Sequence, residues 1–155
     1  QCDEVAHHFG VKALRDISME QLVADQPNIR DLQFRRARHV VSENARTLAA
    51  AGALARSDLS EMGRLMAQSH QSMRDDFEIT VEPVDRLVEL LQQAIGSEGG
   101  ARMTGGGFGG CVVAITIRSR LSYVIDAVRE GYQTPDGAPP MIIETQPAGG
   151  ARLIA

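Results

Sequence analysis

The sequence predicts an α+β fold, a helical N-terminal part packed on a four-stranded, mostly antiparallel sheet. Three observations predict it. Apolar residues recur at three- and four-residue steps, between recognisable caps, through most of the first 95 positions. Two pairs of short apolar runs follow, each pair joined by a glycine-bearing turn. One further helical stretch separates the pairs. The order is therefore helices, then β-β-α-β-β, which favours hairpins backed by helices over a parallel sheet.

The helices are justified one at a time. Residues 2–9 place Val5, Ala6 and Phe9 at helical spacing, and Gly10 suits the stop. Ser18-Met19-Glu20-Gln21 fits a capping box that opens a short helix carrying Leu22 and Val23. Gln26-Pro27-Asn28 breaks it. A long helix is predicted over about 29–55, with Ala37, Val41, Asn44, Ala45, Leu48, Ala51 and Ala55 along one side. Its basic start, Arg35-Arg36-Ala37-Arg38-His39, reads as a solvated face, with an anion-facing surface as the alternative. Asp58 and Glu61 mark the next N-terminus. That helix, to about 73, buries Leu59, Met62, Met66, Ser69 and Met73, with Leu65 beside them.

Ser69, His70 and Ser72, with Asp75 and Asp76 just after, suggest a hydrolytic set. However, Ser69 and His70 are helix neighbours about 100° apart and do not face each other. Asp75-Asp76 reads as turn chemistry paired with an arginine such as Arg74, in preference to a metal site. Residues 77–81 alternate and read as a short extended piece. Pro83 opens a helix with a Val84, Leu87, Val88, Leu91, Ala94 and Ile95 stripe, closed by Gly96. The paired runs are 101–104 with 111–117, and 141–145 with 151–154. Ser119 is the expected cap of the helix between them, which carries Leu121, Val124, Ile125 and Val128, and a polar Pro/Gly-rich loop follows at 132–140.

The first hairpin is the organising stretch. It reads Met103-Thr104-Gly105-Gly106-Gly107-Phe108-Gly109-Gly110-Cys111, five glycines in the six positions 105–110. Such a run is unfavourable to order, since glycine loses the most backbone freedom, and a hairpin turn needs only one or two glycines. Side-chain-free amides can instead form a concavity for an anion. A Walker A loop is excluded, because the only lysine is Lys12. A dinucleotide fingerprint is excluded, because a β-branched strand and not a helix follows.

This nonamer resembles the third, C-terminal motif of the GHMP kinases, in the form found in galactokinases. Residues 34–41 (Phe34-Arg35-Arg36-Ala37-Arg38-His39-Val40-Val41) and 69–79 (Ser69 through Asp75-Asp76-Phe77-Glu78-Ile79) resemble galactokinase segments in the same order. Residues 1–6 resemble the entry to that family's C-terminal half. The resemblance covers essentially the whole chain and implies a ferredoxin-like C-terminal domain over 1–155. It also implies transfer of a phosphoryl group from ATP to galactose. In that family the third motif lies beside the nucleotide's phosphate loop, in the cleft between two domains. Thr104, Gly105, Gly106, Gly107, Gly109 and Gly110 are thus the expected nucleotide-side residues, with Phe108 packing on the opposite domain. The family's catalytic Asp, assisting Arg, phosphate loop and sugar contacts precede the matched region, as do the ligands expected for Mg²⁺. No catalytic or metal residue is therefore assigned here. The expectation is the C-terminal half of a longer kinase, inactive alone, with its own N-terminal domain as partner. Another GHMP kinase, such as a mevalonate or homoserine kinase, shares the glycine loop, but residues 72–78 favour galactokinase. A non-enzymatic module that binds anions or a protein is the alternative from another class.

Bulk properties agree with a globular domain of ordinary composition. The formal net charge of −4 suggests neither a nucleic-acid nor a membrane surface. No apolar run is long enough to span a bilayer and no signal peptide is visible. Cys2 and Cys111, far apart, read as reduced thiols of a cytoplasmic protein, with Cys111 expected to be buried as a small apolar residue.

Overall fold

A computed structural model describes residues 1–149. Local chemistry explains most of its helices. α1 (Cys2–His8) ends just before Gly10, whose φ is +67°. α2 (Met19–Ala24) opens with the full capping box: Gln21 N donates to Ser18 Oγ at 3.2 Å, and Ser18 N donates to Gln21 Oε1 at 2.8 Å. α3 (Asp31–Ala55) follows a 3₁₀ turn at Gln26–Asn28. α4 (Leu59–Ser72) starts at Asp58, whose Oδ1 accepts from Glu61 N at 3.0 Å. α5 (Glu82–Ile95) carries Pro83 in its first turn and stops at Gly96, φ +64°. α6 (Leu121–Gly131) follows a 3₁₀ turn at Arg118–Arg120, and no side chain caps it, so the expected Ser119 cap is not formed.

The fold is α+β, but the expected four-stranded sheet is corrected. Among the described residues the sheet has two antiparallel strands, β1 (Gly99–Thr104) and β2 (Cys111–Thr116). Their register pairs Thr104 with Cys111 at the loop and Gly99 with Thr116 at the far end. Residues 141–145 join no ladder, and Met141 and Ile143 are exposed. Their expected hairpin partner, 151–154, lies outside the described residues.

Helices cover β1 on more than one side. Ala101 and Met103 are fully buried toward α5, whose Val84, Val88, Leu91 and Ile95 form the facing stripe. Arg102 points to the opposite face, toward α3 and α4. The edge of β1 not paired with β2 is occupied by α4. A Cβ built on Gly63 falls 1.8 Å from the Gly99 carbonyl oxygen, so only glycine lets the helix come this close. The same edge is closed further along by Met103 N, which donates to His70 Nδ1 at 3.3 Å. An edge strand is thereby shielded by a helix and not by a third strand.

The long helix buries the expected side at Ala37 and Val41 but departs from it beyond Val41. Phe34, Ala37, Val41 and Ala53 are buried, whereas Asn44, Ala45, Ala51 and Ala55 are exposed and Leu48 is 77% exposed. From Leu48 to Ala55 the helix is apolar nearly all round, so periodicity does not choose a side there. Packing of Ala53 against Met62, Leu65 and Met66 of α4 makes the choice instead.

Candidate functional site

The glycine loop leaves the hairpin between Thr104 and Cys111 and rests on one support. Phe108 N donates to the Ile79 carbonyl at 2.7 Å. Gly107 has φ +89°, and a Cβ there would lie 2.8 Å from Ile79 Cβ and 2.9 Å from its carbonyl oxygen. Gly107 is thus required twice, by its backbone and by the seat beneath it. Phe108 is a non-glycine residue at φ +57° and is 75% exposed. A side chain held in the left-handed region at a cost of about 1–2 kcal/mol, yet left in solvent, is a strained position of the kind found at functional loops. Among the described residues, the amides of Gly105, Gly106, Gly107, Gly109 and Gly110 donate to no protein acceptor. Around Gly105, Gly106 and Gly109 the space is open to 4 Å where a side chain would begin. The loop presents bare main chain outward.

Ile79 is itself held from below. The chain leaves α4 through a π turn, Met73–Phe77, closed by Ile79 N donating to Met73 O at 3.1 Å. The extended piece expected at 77–81 is therefore partly replaced by this wider turn, after which Glu78 takes φ +56°. Three arginines of α3 grip it. Arg35 Nη1 and Arg36 Nη2 donate to the two Glu78 carboxylate oxygens, each at 2.6 Å. Arg36 Nη1 also donates to the Asp76 carbonyl, and Arg35 Nη1 to the Asp75 carbonyl at 3.2 Å. Arg38 donates to Asp76 Oδ1, through Nε at 2.9 Å and through Nη2. The far oxygen of Asp76 accepts from Ser72 Oγ at 2.9 Å. Arg36 and Arg35 hold the Glu78 carboxyl below its usual range. The basic run expected as a solvated face is thus a clamp, and the Arg36 side chain is only 14% exposed. As expected, the adjacent carboxylates do structural work: Asp75 pairs with Arg74 at 2.9 Å and Asp76 with Arg38.

Two further constellations were not visible in sequence. On the face of β1 away from α5, Arg102 Nη1 donates to Glu43 Oε1 at 2.8 Å and to Ser69 Oγ at 2.5 Å, while Arg46 Nε reaches Glu43 Oε2 at 2.7 Å. Burial pushes the Glu43 carboxyl up, but the Ser69 hydroxyl and the two guanidiniums outweigh it and keep it below its usual value. At the edge of β1, buried His70 lies between the Met103 amide and Asp85, with Nε2 3.1 Å from Asp85 Oδ1. Burial lowers the His70 pKa despite Asp85. Ser69 and His70 turn to different partners, so these two do not act as a pair. Cys111, expected to be buried, is exposed at the loop exit, and neither cysteine is in a disulfide. Among the described residues no group of three or more His, Cys, Asp or Glu is placed to hold a metal ion. Nor is any helix there long and apolar enough to cross a membrane.

A strand, an open glycine hairpin and helices packed on the strand's edge and face make up one α+β domain. Residues 50–134 match the GHMP kinase C-terminal family, and the chain belongs to it. Its fold is similar to that of galactokinase from Lactococcus lactis, solved in complex with galactose, with a TM-score of 0.79 and 35% sequence identity. The similarity covers 89% of this chain and 36% of that one, so the chain spans about a third of the galactokinase it matches.

Proposed function

We propose that this chain is the C-terminal part of a galactokinase-type sugar kinase, which transfers the γ-phosphoryl group of ATP to the 1-hydroxyl of galactose, giving galactose 1-phosphate and ADP. The observation that carries the reading is the row of unbonded amides at Gly105, Gly106, Gly107, Gly109 and Gly110. Phosphoryl transfer needs positioning and neutralisation of oxygen charge more than covalent chemistry from the protein. Oriented main-chain donors supply part of that without a lysine. Thr104, exposed at the mouth of the hairpin, offers a hydroxyl donor next to the loop. These residues fit the phosphate end of ATP, and Mg²⁺ when bound neutralises charge on the phosphates. The Mg²⁺ ligands, catalytic base and sugar contacts come from chain outside these residues, so residues 1–155 alone have no turnover.

An apolar face supports a partner domain. Leu54 on α3 and Val113 on β2 are exposed along an open groove floored by Met62, Leu65 and Ile115. A module closed on itself would leave no such face bare.

Gly106 gives the cleanest test. Its φ is not positive, and nothing lies within 4 Å of a Cβ built there. Nothing among the described residues requires glycine at this position. In the full-length polypeptide, Gly106→Ala is expected to raise stability by about 0.4–1 kcal/mol and to lower kcat/KM for ATP by about a hundredfold, the cost of a displacement of about 1 Å at a reacting group. Unchanged ATP kinetics would reduce the loop to a plain turn. An ADP-release assay with galactose on residues 1–155 checks the second claim, and robust turnover would overturn it.

A further inference from the structure

We propose that Arg35, Arg36 and Arg38 of α3, through their grip on Glu78 and Asp76, are positioning residues for the glycine loop. The chain of contact is continuous. The guanidiniums fix the Glu78 carboxylate and the Asp75 and Asp76 carbonyls. Those groups fix the π turn, and its closure by Ile79 N on Met73 O aims the Ile79 carbonyl. That carbonyl accepts from Phe108 N, and the body of Ile79 supports Gly107. Ile79 has little freedom of its own, because it packs against the cluster of Met73, Val84, Val88 and Met103.

The strain runs the same way. Glu78 and Phe108, the residues on either side of the Ile79 contact, are both non-glycine residues with positive φ, at +56° and +57°. Such residues persist only where surrounding bonds over-determine them. Glu78 is held by two arginines and Phe108 by one hydrogen bond to the next residue, Ile79. Phe77 adds lateral support, its ring 4.6 Å from that of His39 and 5.9 Å from the Arg36 guanidinium carbon. A π turn beside a functional loop is a recurrent arrangement, because the extra residue re-aims the chain that follows. Helix α3 therefore sets where the loop's amides point, although no atom of α3 touches the loop in this chain of bonds.

Glu78→Gly separates the grip from the backbone, since glycine adopts the left-handed conformation without strain while the carboxylate is lost. Two readouts on the full-length polypeptide test the idea. Hydrogen exchange at the Phe108 amide is expected to accelerate at least tenfold, with the α5 and β1 amides unchanged. The KM for ATP is expected to rise several-fold, with the KM for galactose unchanged. Glu78→Gln, which keeps an acceptor oxygen, is expected to restore part of both. Arg36→Lys, which cannot span Glu78 and the Asp76 carbonyl together, is expected to fall between. Phe108 exchange equal to wild type overturns the proposal, as does a rise matched across the whole domain. The kinetic arm rests on the nucleotide-side reading of the loop. Faster exchange with unaltered ATP kinetics supports the clamp and overturns that reading instead.

Discussion

Gly63→Ala should destabilise this domain, although helix propensity alone gives the opposite sign. In an exposed helix interior, replacing glycine with alanine gains about 1 kcal/mol. Gly63 lies in α4 where it crosses the open edge of β1. The added Cβ would sit 1.8 Å from the Gly99 oxygen and 2.8 Å from its carbon. A tolerable carbon-to-oxygen contact is about 3.3 Å, so α4 must retreat by about 1.5 Å. Both obstructing atoms are main chain, and β1 is pinned by β2, so no flexible side chain can yield. Retreat strains the packing of Met62, Leu65 and Met66, an overpacking penalty of about 1–3 kcal/mol. It also stretches the Met103 to His70 bond, already 3.3 Å, which is worth about 1 kcal/mol. After the propensity gain, the net loss is about 2 kcal/mol, a fall in Tm of about 4–8 °C for a domain of this size. Urea and thermal unfolding measure it, with Gly52→Ala as control. A Cβ at Gly52 meets only the end of the Arg56 side chain, at 3.3 Å, and should be neutral or stabilising. If Gly63→Ala is as stable as Gly52→Ala, α4 does not sit on the strand edge as described.

Three other outcomes are expected. Gly107→Ala combines a positive φ with a clash against the Ile79 backbone, and should lower stability by about 1–2 kcal/mol and lower kcat/KM for ATP, measured by urea unfolding and steady-state kinetics. Glu43→Ala leaves the half-buried Arg46 and Arg102 without their shared carboxylate and should cost about 1–2 kcal/mol, while Glu43→Gln, which keeps acceptors for Ser69 and one arginine, should cost less. Buried His70, facing Asp85, Arg74 and Arg102, has its pKa lowered from 6.5 by burial. The unfolded chain therefore binds the extra proton first, so this contribution to stability is complete above about pH 6.5 and is lost as pH falls below it. His39, also lowered by burial, acts in the same direction. Unfolding between pH 5 and 7 should show a shallower slope for His70→Asn, and an unchanged slope would place the titration elsewhere.

What was legible in the sequence was local. The Ser18 box and the Asp58 cap act over three residues, and both are present as read. The α5 stripe was legible because its apolar and polar residues segregate cleanly around the helix, from Val84 to Ile95. What failed depends on distant residues. The π turn at 73–77 is defined by arginines about 40 positions upstream, so the local pattern at 77–81 suggested only an extended piece. The buried side of α3 beyond Val41 depends on where α4 packs against Ala53, and an alanine-rich run carries no periodic signal to decide it. The Arg102, Glu43 and Ser69 cluster joins three elements at separations that no motif spacing records.

The glycine loop divides in a way that bears on function. The domain itself explains Gly107: a positive φ and a seat against Ile79 demand it. Nothing around Gly106 demands glycine, since its φ is not positive and its surroundings are empty to 4 Å. Alanine there would reduce the disorder of the unfolded chain and stabilise the fold by about 0.4–1 kcal/mol. A residue that forgoes that stability with no internal reason points to something that approaches from outside the domain. The neighbouring glycine amides have no protein acceptor among the described residues, and unbonded N–H groups of consecutive residues are the kind of donor an anion uses. Gly106 is therefore the position where stability and activity should move in opposite directions, and a variant gaining both would remove the reason for reading the loop as a phosphate site.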